Sequence, residues 1–263
     1  MYTAFHVPVS YTHLAEVRNG LIFAVILAVL IQSLLVIVGY LCGKTLHMDS
    51  VEKGSVVYSN AANLIIPIVS SVLGEEWVVY TSAFVSVQLV FIWTHGISLF
   101  SDNEKFNWKK IVFNINIIAI FIGILMLITG IRLPAMINEV TASFGDMIGP
   151  LAMLINGMLI AGMDFRQVIF QKRIYLVMLF RMVVCPAIVL VLIKLFHAES
   201  MIINGEEIVL VVFLATMTPA ASMITQFAQL HNKGGGYAGA INIMTTLACM
   251  ITMPIFVFLY EMI

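Results

Sequence analysis

Long apolar runs alternate with short polar breaks along the whole chain. Eight of them, 21–43, 54–73, 77–99, 111–130, 146–163, 174–196, 207–229 and 236–260, could each cross about 30 Å of hydrocarbon as a helix. None shows the two-residue alternation of a lipid-facing barrel strand. The pattern predicts an all-α integral membrane protein with eight transmembrane helices.

Two of these runs interrupt themselves. "SNAANLIIPIV" at 59–69 carries Asn60, Asn63 and Pro67, and "LATMTPAASMITQ" at 214–226 carries Thr218, Pro219, Ser222 and Gln226. An interior proline costs a helix roughly 3 kcal/mol, and an unpaired backbone group in hydrocarbon adds several kcal/mol more. Irregular backbone survives at that depth where protein or a water-filled cavity receives it. A single proline reads as a kink. Two, each among amides and hydroxyls, read as a solute site in which freed carbonyls and half-helix N-termini supply partial charges of either sign. Small neighbours (Ala61, Ala62, Ala220, Ala221) would let the two backbones cross closely. The candidate substrate-binding residues are therefore Asn60, Asn63, Pro67, Thr218, Pro219, Ser222 and Gln226.

Three runs precede the charged loop 101–110 and five follow it. If the chain holds two repeats of five, the first lacks its opening two helices, and an odd number of spans per repeat inverts the second copy. Residues 1–14, "MYTAFHVPVSYTHL", read as neither helix nor anchor. "PVSYTHL" resembles translated adapter sequence, which would put the true start near Ala15; an ordinary disordered N-terminus is the alternative. The expected units are this segment to residue 20, a first transport part at 21–100, the loop 101–110, scaffold helices at 111–163 and a second transport part at 174–260.

Charge sets the orientation. Lys44, Lys53, Lys105, Lys109, Lys110, Arg166, Lys172, Arg173 and Lys233 fall on one side, against Arg18, Arg132 and Lys194 on the other. The richer side is expected to be cytoplasmic and both termini outside. Composition agrees with a lipid environment: 61% of the 263 residues are hydrophobic and 10% charged, against about 25% charged in soluble domains. A net charge of -1 with no basic tail excludes nucleic acid as a partner. Cys42, Cys185 and Cys249 each sit in an apolar run and read as small hydrophobes.

At these residues the sequence resembles the auxin efflux carrier family, in its bacterial branch of malate or malonate permeases. "YSNAANLIIPIVSSVLGEEWVVYTSAFVSVQLVFIWTHG" is similar to that family's fourth and fifth helices, "GPLAMLINGMLIAGMDF" to its seventh, and "LATMTPAASMITQFAQL" to its ninth. The resemblance implies ten helices in two inverted fives, the fourth and ninth crossing at their prolines. It would place Pro67 and Pro219 at the crossing, with Asn60 and Asn63 lining it. The eight spans here would then be an N-terminally truncated remnant of that ten-helix fold. Two departures stand out: Asn114-Ile115 where many members have Asn-Pro, and Ile65 where a glycine is common, which would narrow the approach of substrate.

Several polar residues remain. Arg181, within its span, could snorkel to the cytoplasmic face, attract an anionic substrate or pair with a carbonyl. His95 reads either as a proton relay or, more simply, as an interfacial histidine beside Trp93. Asp146 would open the fifth span, where a carboxylate suits the helix dipole; a coupling-ion ligand there is the lesser reading. "GYAGA" at 236–240 would permit tight packing.

Together these features lead us to expect a secondary transporter in a bacterial cytoplasmic membrane. It would move a small organic anion, such as a dicarboxylate, by alternating access. Expected partners are that anion, the bilayer, a second copy in a homodimer and a coupling ion; sodium, protons or nothing remain open for the last. No cofactor or metal is expected. The rivals are a nonfunctional fragment of such a carrier and an intramembrane enzyme, which would need paired aspartates, a serine–histidine pair or a metal cluster.

Overall fold

The computed structural model describes residues 14–101, 118–119, 122–123, 125–126, 134–161 and 170–263. Most of the expected span 111–130, and the loop before it, lie outside the described residues. The helices are α1 (Leu14–Thr45), α2 (Ser50–Val57), α3 (Ala61–Val72), α4 (Val78–Phe91), α5 (Ala135–Ala161), α6 (Lys172–Leu179), α7 (Cys185–Leu195), α8 (Gly205–Met217), α9 (Ser222–Leu230) and α10 (Gly235–Met262). No strand occurs among the described residues. Among the described residues four stretches, Val17–Thr45, Val78–Gly96, Lys172–Leu195 and Gly235–Met262, are long and apolar enough to cross a membrane.

α1 shows how such a helix divides its surface. Ala24, Ala28, Ile31, Leu35 and Cys42 are buried, while Ile22, Ile26, Leu30, Ile37 and Leu41 are exposed. Both faces are apolar because the outer one meets lipid, so the inward face is set by packing and not by polarity, with Ala24 and Ala28 letting neighbours approach closely. Gly39 is required there. A Cβ at that position would come within 2.2 Å of Val57 Cγ2, so only glycine lets α1 lie this close to α2.

Two continuous spans contain a wide turn. α4 passes into a π turn at Ile92–Gly96, and α6 reaches α7 through another at Phe180–Val184. The second has a visible cause. Pro186 has no N–H to return to the fourth residue back, and just before it the Cys185 N–H reaches Phe180 O, five residues back. The π turn places Arg181 inward, fully buried.

Both expected broken spans are broken. The run 54–73 becomes α2 and α3, and the run 207–229 becomes α8 and α9. The fifth span is corrected at its start. It was expected to begin at 146 after the polar break "RLPAMINEV", but the helix already begins at Ala135, where Pro134 O accepts the Asn138 N–H. Asp146 is thus in mid-helix and does not cap a helix start.

The helix ends gather into two groups. At one, Glu52 of α2, Arg173 of α6 and Tyr237 of α10 are bonded together. At the other, Lys194 of α7 pairs with Glu199 at 2.9 Å and lies over the Tyr260 ring, whose hydroxyl donates to Glu206 O. Lys44 lies in the last turn of α1, Lys53 follows Glu52 in α2 and Lys233 shortly precedes α10.

Candidate functional site

The two broken spans meet at their breaks. Asn60 N–H donates to Pro219 O at 2.7 Å, and Ala221 N–H donates to Tyr58 O at 3.0 Å. Between these bonds Ser59 and Ala220 form an isolated antiparallel bridge. The pair is reciprocal. A local twofold rotation through the bridge exchanges the two bonds, matching Val57 with Thr218, Tyr58 with Pro219, Ser59 with Ala220 and Asn60 with Ala221.

Side chains from neighbouring spans repeat this symmetry. Gln88 of α4 accepts from Ser59 N–H at 3.2 Å and from the Ser59 hydroxyl at 2.5 Å, and donates to Ser59 O at 2.8 Å. On the other side Asn242 of α10 donates to Ala220 O at 2.6 Å, while the Thr245 hydroxyl accepts from Ala220 N–H at 3.1 Å. From the preceding spans, Gln32 of α1 donates to Val57 O, and Arg181 donates to Thr218 O. A buried amide or carbonyl without a partner is costly, and each of these residues supplies one.

Arg181 does more than its counterpart. Its Nε and Nη2 donate to Thr218 O at 3.1 and 2.8 Å, Nη2 also reaches Thr216 O at 2.8 Å, and Nη1 reaches Val56 O at 3.2 Å. The guanidinium thereby joins the last turns of α2 and α8. Its side chain has 0% exposure. Of the three expectations for Arg181, carbonyl pairing is the one observed. Snorkelling is corrected by the burial; each guanidinium nitrogen donates to at least one backbone oxygen.

The carbonyls at the second break are almost fully used. Thr218 Oγ1 turns back to Ala215 O at 2.9 Å, Cys249 Sγ donates to Met217 O, and Arg181, Asn60 and Asn242 take the carbonyls of Thr216, Thr218, Pro219 and Ala220. At the first break Val56, Val57, Tyr58 and Ser59 are met by Arg181, Gln32, Ala221 and Gln88.

The expected role of Pro67 is corrected. It was matched with Pro219, but the hydrogen-bond register matches Pro219 with Tyr58. The first break falls at Tyr58–Asn60, and Pro67 sits inside α3 with its side exposed. Here the loss of one N–H leaves the helix continuous. Ile65, expected to narrow the approach, is instead fully buried in the core.

The other candidates are placed as follows. Asn60 is the N-cap of α3, half-buried, and its Oδ1 accepts from Asn63 Nδ2 at 3.0 Å. Pro219, Thr218 and Ser222 are buried at the break, with Ser222 Oγ near Asn242 Nδ2 at 3.5 Å. Gln226 lies half-buried one turn further along α9.

Next to the crossing, Tyr58 is buried and its hydroxyl donates to Phe91 O at 3.0 Å. The same oxygen lies 2.7 Å from His95 Nδ1, a hydrogen bond whose direction is set by the imidazole tautomer. His95 is tied to the crossing and is not a free interfacial histidine; Trp93 packs edge-on against Phe227 instead.

At the end of α2 nearer the charged loops, Asp49 and Glu52 cap the helix reciprocally, Glu52 N–H to Asp49 Oδ1 at 2.8 Å and Asp49 N–H to Glu52 Oε2 at 3.0 Å. Glu52 also accepts from Arg173 and from the Tyr237 hydroxyl, at 2.6 and 2.9 Å on Oε1. Burial alone would raise its carboxyl, but bonds from Arg173, Asp49 N–H and Tyr237 outweigh it and hold the group below the usual carboxylate range.

The crossing of two half-helix pairs agrees with what the chain matches. A family model described as a membrane transport protein covers residues 2–107 and 103–257. The chain belongs to this family, that of the auxin efflux carriers. No curated protein matches it closely enough to count. Family membership and the apolar helices make this an integral membrane protein of transport.

The residues that hold the crossing together were mostly missed in the sequence. Gln32 in "LIQSLL", Gln88 in "SVQLVF" and Asn242 in "AINIM" are single amides within apolar runs. That was the available signal, since an uncharged donor–acceptor pair at such depth needs a backbone partner.

Proposed function

We propose that this membrane transport protein is a secondary carrier for a small organic anion such as a dicarboxylate, with the substrate held at the crossing of α2–α3 and α8–α9. The single observation that carries the reading is the use of backbone at the break. Carbonyl oxygens there are taken up by Arg181, Gln32, Gln88, Asn242 and the opposing strand. Asn63 and Ile224 N–H already return to the N-cap carbonyls of Asn60 and Ala221, whereas the amides before them, those of Ala61 and Ala62 in α3 and Met223 in α9, have no carbonyl within their own helix to meet. They leave a positive partial charge of about half a unit at each start, which favours a carboxylate. Asn60 and Asn63, half-buried at the start of α3, would add neutral hydrogen bonds, as would Ser222 and Gln226 on α9.

In this reading the local twofold at Ser59 and Ala220 is the centre of an inverted repeat. Alternating access is then the rocking of the crossing and its neighbouring spans against α5. The side rich in lysine and arginine faces a bacterial cytoplasm.

Uptake of radiolabelled malate or malonate into proteoliposomes tests this. Asn60→Ala should lower uptake at least tenfold with the protein still folded by thermal unfolding. Undiminished uptake in that variant, or no uptake of any dicarboxylate by the parent, would remove the site assignment.

A further inference from the structure

Arg181 carries a full positive charge at the centre of the crossing, with 0% exposure. Among the described residues no carboxylate pairs with it; its bonds go to the carbonyls of Val56, Thr216 and Thr218. A buried unpaired charge is among the most expensive features in a membrane protein, so its compensation has to be found in those carbonyls. They belong to the last turn of α2 or of α8 and its cap. Each half-helix C-terminus carries about half a negative charge, and two of them together match one guanidinium.

Unwound carbonyls and half-helix C-termini at such breaks are where discontinuous-helix carriers hold a mobile sodium ion or proton carrier. We propose that Arg181 is a tethered cation occupying that position, so that the crossing is neutralised by the protein's own side chain and needs no mobile cation. The planar fork suits the arrangement, because Nε and Nη2 both grip Thr218 O while Nη1 reaches across to Val56 O. Two further features fix the fork in place: the π turn Phe180–Val184 that carries Arg181, and Pro186 that follows it. Gln32, the residue in the matching place on the other side, supplies one neutral donor to Val57 O, so one cation serves both breaks.

The coupling consequence rests on the carrier reading above, whereas the cation site does not, and the experiment separates them. Thermal unfolding of the purified full chain in detergent is measured without substrate in sodium, choline and low-millimolar guanidinium chloride. The parent should unfold at the same temperature in sodium and choline. Arg181→Ala should unfold several degrees lower, and guanidinium or sodium should restore most of that loss in a saturable way. Arg181→Lys, which keeps the charge but loses the fork, should fall between them. Sodium stabilisation of the parent, or an Arg181→Ala protein as stable as the parent and indifferent to every cation, overturns the proposal. If Arg181→Ala does not accumulate, Arg181→Lys decides: stability unaffected by sodium supports a tethered charge, and a sodium response refutes it. Failure of the parent to take up any anion would sink the transport reading and leave this result standing.

Discussion

Gln32 and Arg181 stand in matching places on the two sides of the crossing, each donating to the carbonyl at its break. Gln32 reaches Val57 O over 3.4 Å and Arg181 reaches Thr218 O over 2.8 Å. The difference in length and charge makes their replacements unequal. Gln32 Oε1 is buried without a partner among the described residues, so Gln32→Leu exchanges one long bond for relief of that atom. It should change stability by no more than about 1 kcal/mol. Arg181→Met leaves three buried carbonyls without their donor, at about 1–3 kcal/mol each, and should cost several times more. Thermal unfolding of both variants in one detergent measures the contrast; equal losses would mean that the guanidinium bonds carry no special weight.

Gln88 is the sharper test of the bridge itself. Its carboxamide meets both the N–H and the C=O of Ser59 and also the Ser59 hydroxyl. Gln88→Leu keeps the volume and deprives two buried backbone groups at once, an expected loss of about 2–4 kcal/mol. Ser59→Ala keeps the backbone pairing and should cost less than half of that. A Gln88→Leu protein with the parent's unfolding temperature would show that Ser59 finds other partners.

What the sequence made legible follows from what hydrophobicity can report. Long apolar runs give spans, and α1, α4 and α10 fall where the runs lie because a helix in lipid needs only length and apolar side chains. The presence of a break was readable from "TMTPAAS" because Pro219 removes an N–H where nothing else signals a loop. Its partner was not read correctly. "SNAANLIIP" offers a conspicuous proline, yet the break comes at Tyr58–Asn60, where Gln88, Arg181 and the opposing strand provide hydrogen bonds from residues distant in sequence. Such long-range satisfaction leaves no local mark. The Glu52 clamp was hidden for the same reason: Arg173 and Tyr237 looked like ordinary loop and helix-start residues until α6 and α10 were brought against α2.

Glu52 also predicts a pH dependence. Its carboxyl is held below the usual range when folded, so the stability it adds is present above the ordinary carboxylate pKa and is lost as pH falls through the lowered folded value. Unfolding temperature should therefore hold above about pH 4.5 and drop below it as the clamp to Arg173 and Tyr237 is protonated. Glu52→Gln should unfold lower than the parent at neutral pH and show a flatter acid limb. A variant with the parent's acid limb would place the titration elsewhere.

The two prolines give the most direct test of where the first break lies. Pro67 is exposed within α3 and has no part in the bridge. Pro67→Ala restores an N–H that the Asn63 carbonyl can accept in the ordinary helical pattern, and proline is about 3 kcal/mol worse than alanine at an exposed helix interior. The variant should match or exceed the parent in stability, with uptake unchanged. Pro219 is buried at the break, and its carbonyl accepts the Asn60 N–H. Pro219→Ala introduces a buried N–H into a segment whose carbonyls are already engaged, at a cost of about 1–3 kcal/mol, and it loosens the φ restraint that keeps α8 from running on. Its uptake should fall severalfold while that of Pro67→Ala does not. If the two behave alike in both measurements, the break is shared between Pro67 and Pro219, and the register through Ser59 and Ala220 is wrong.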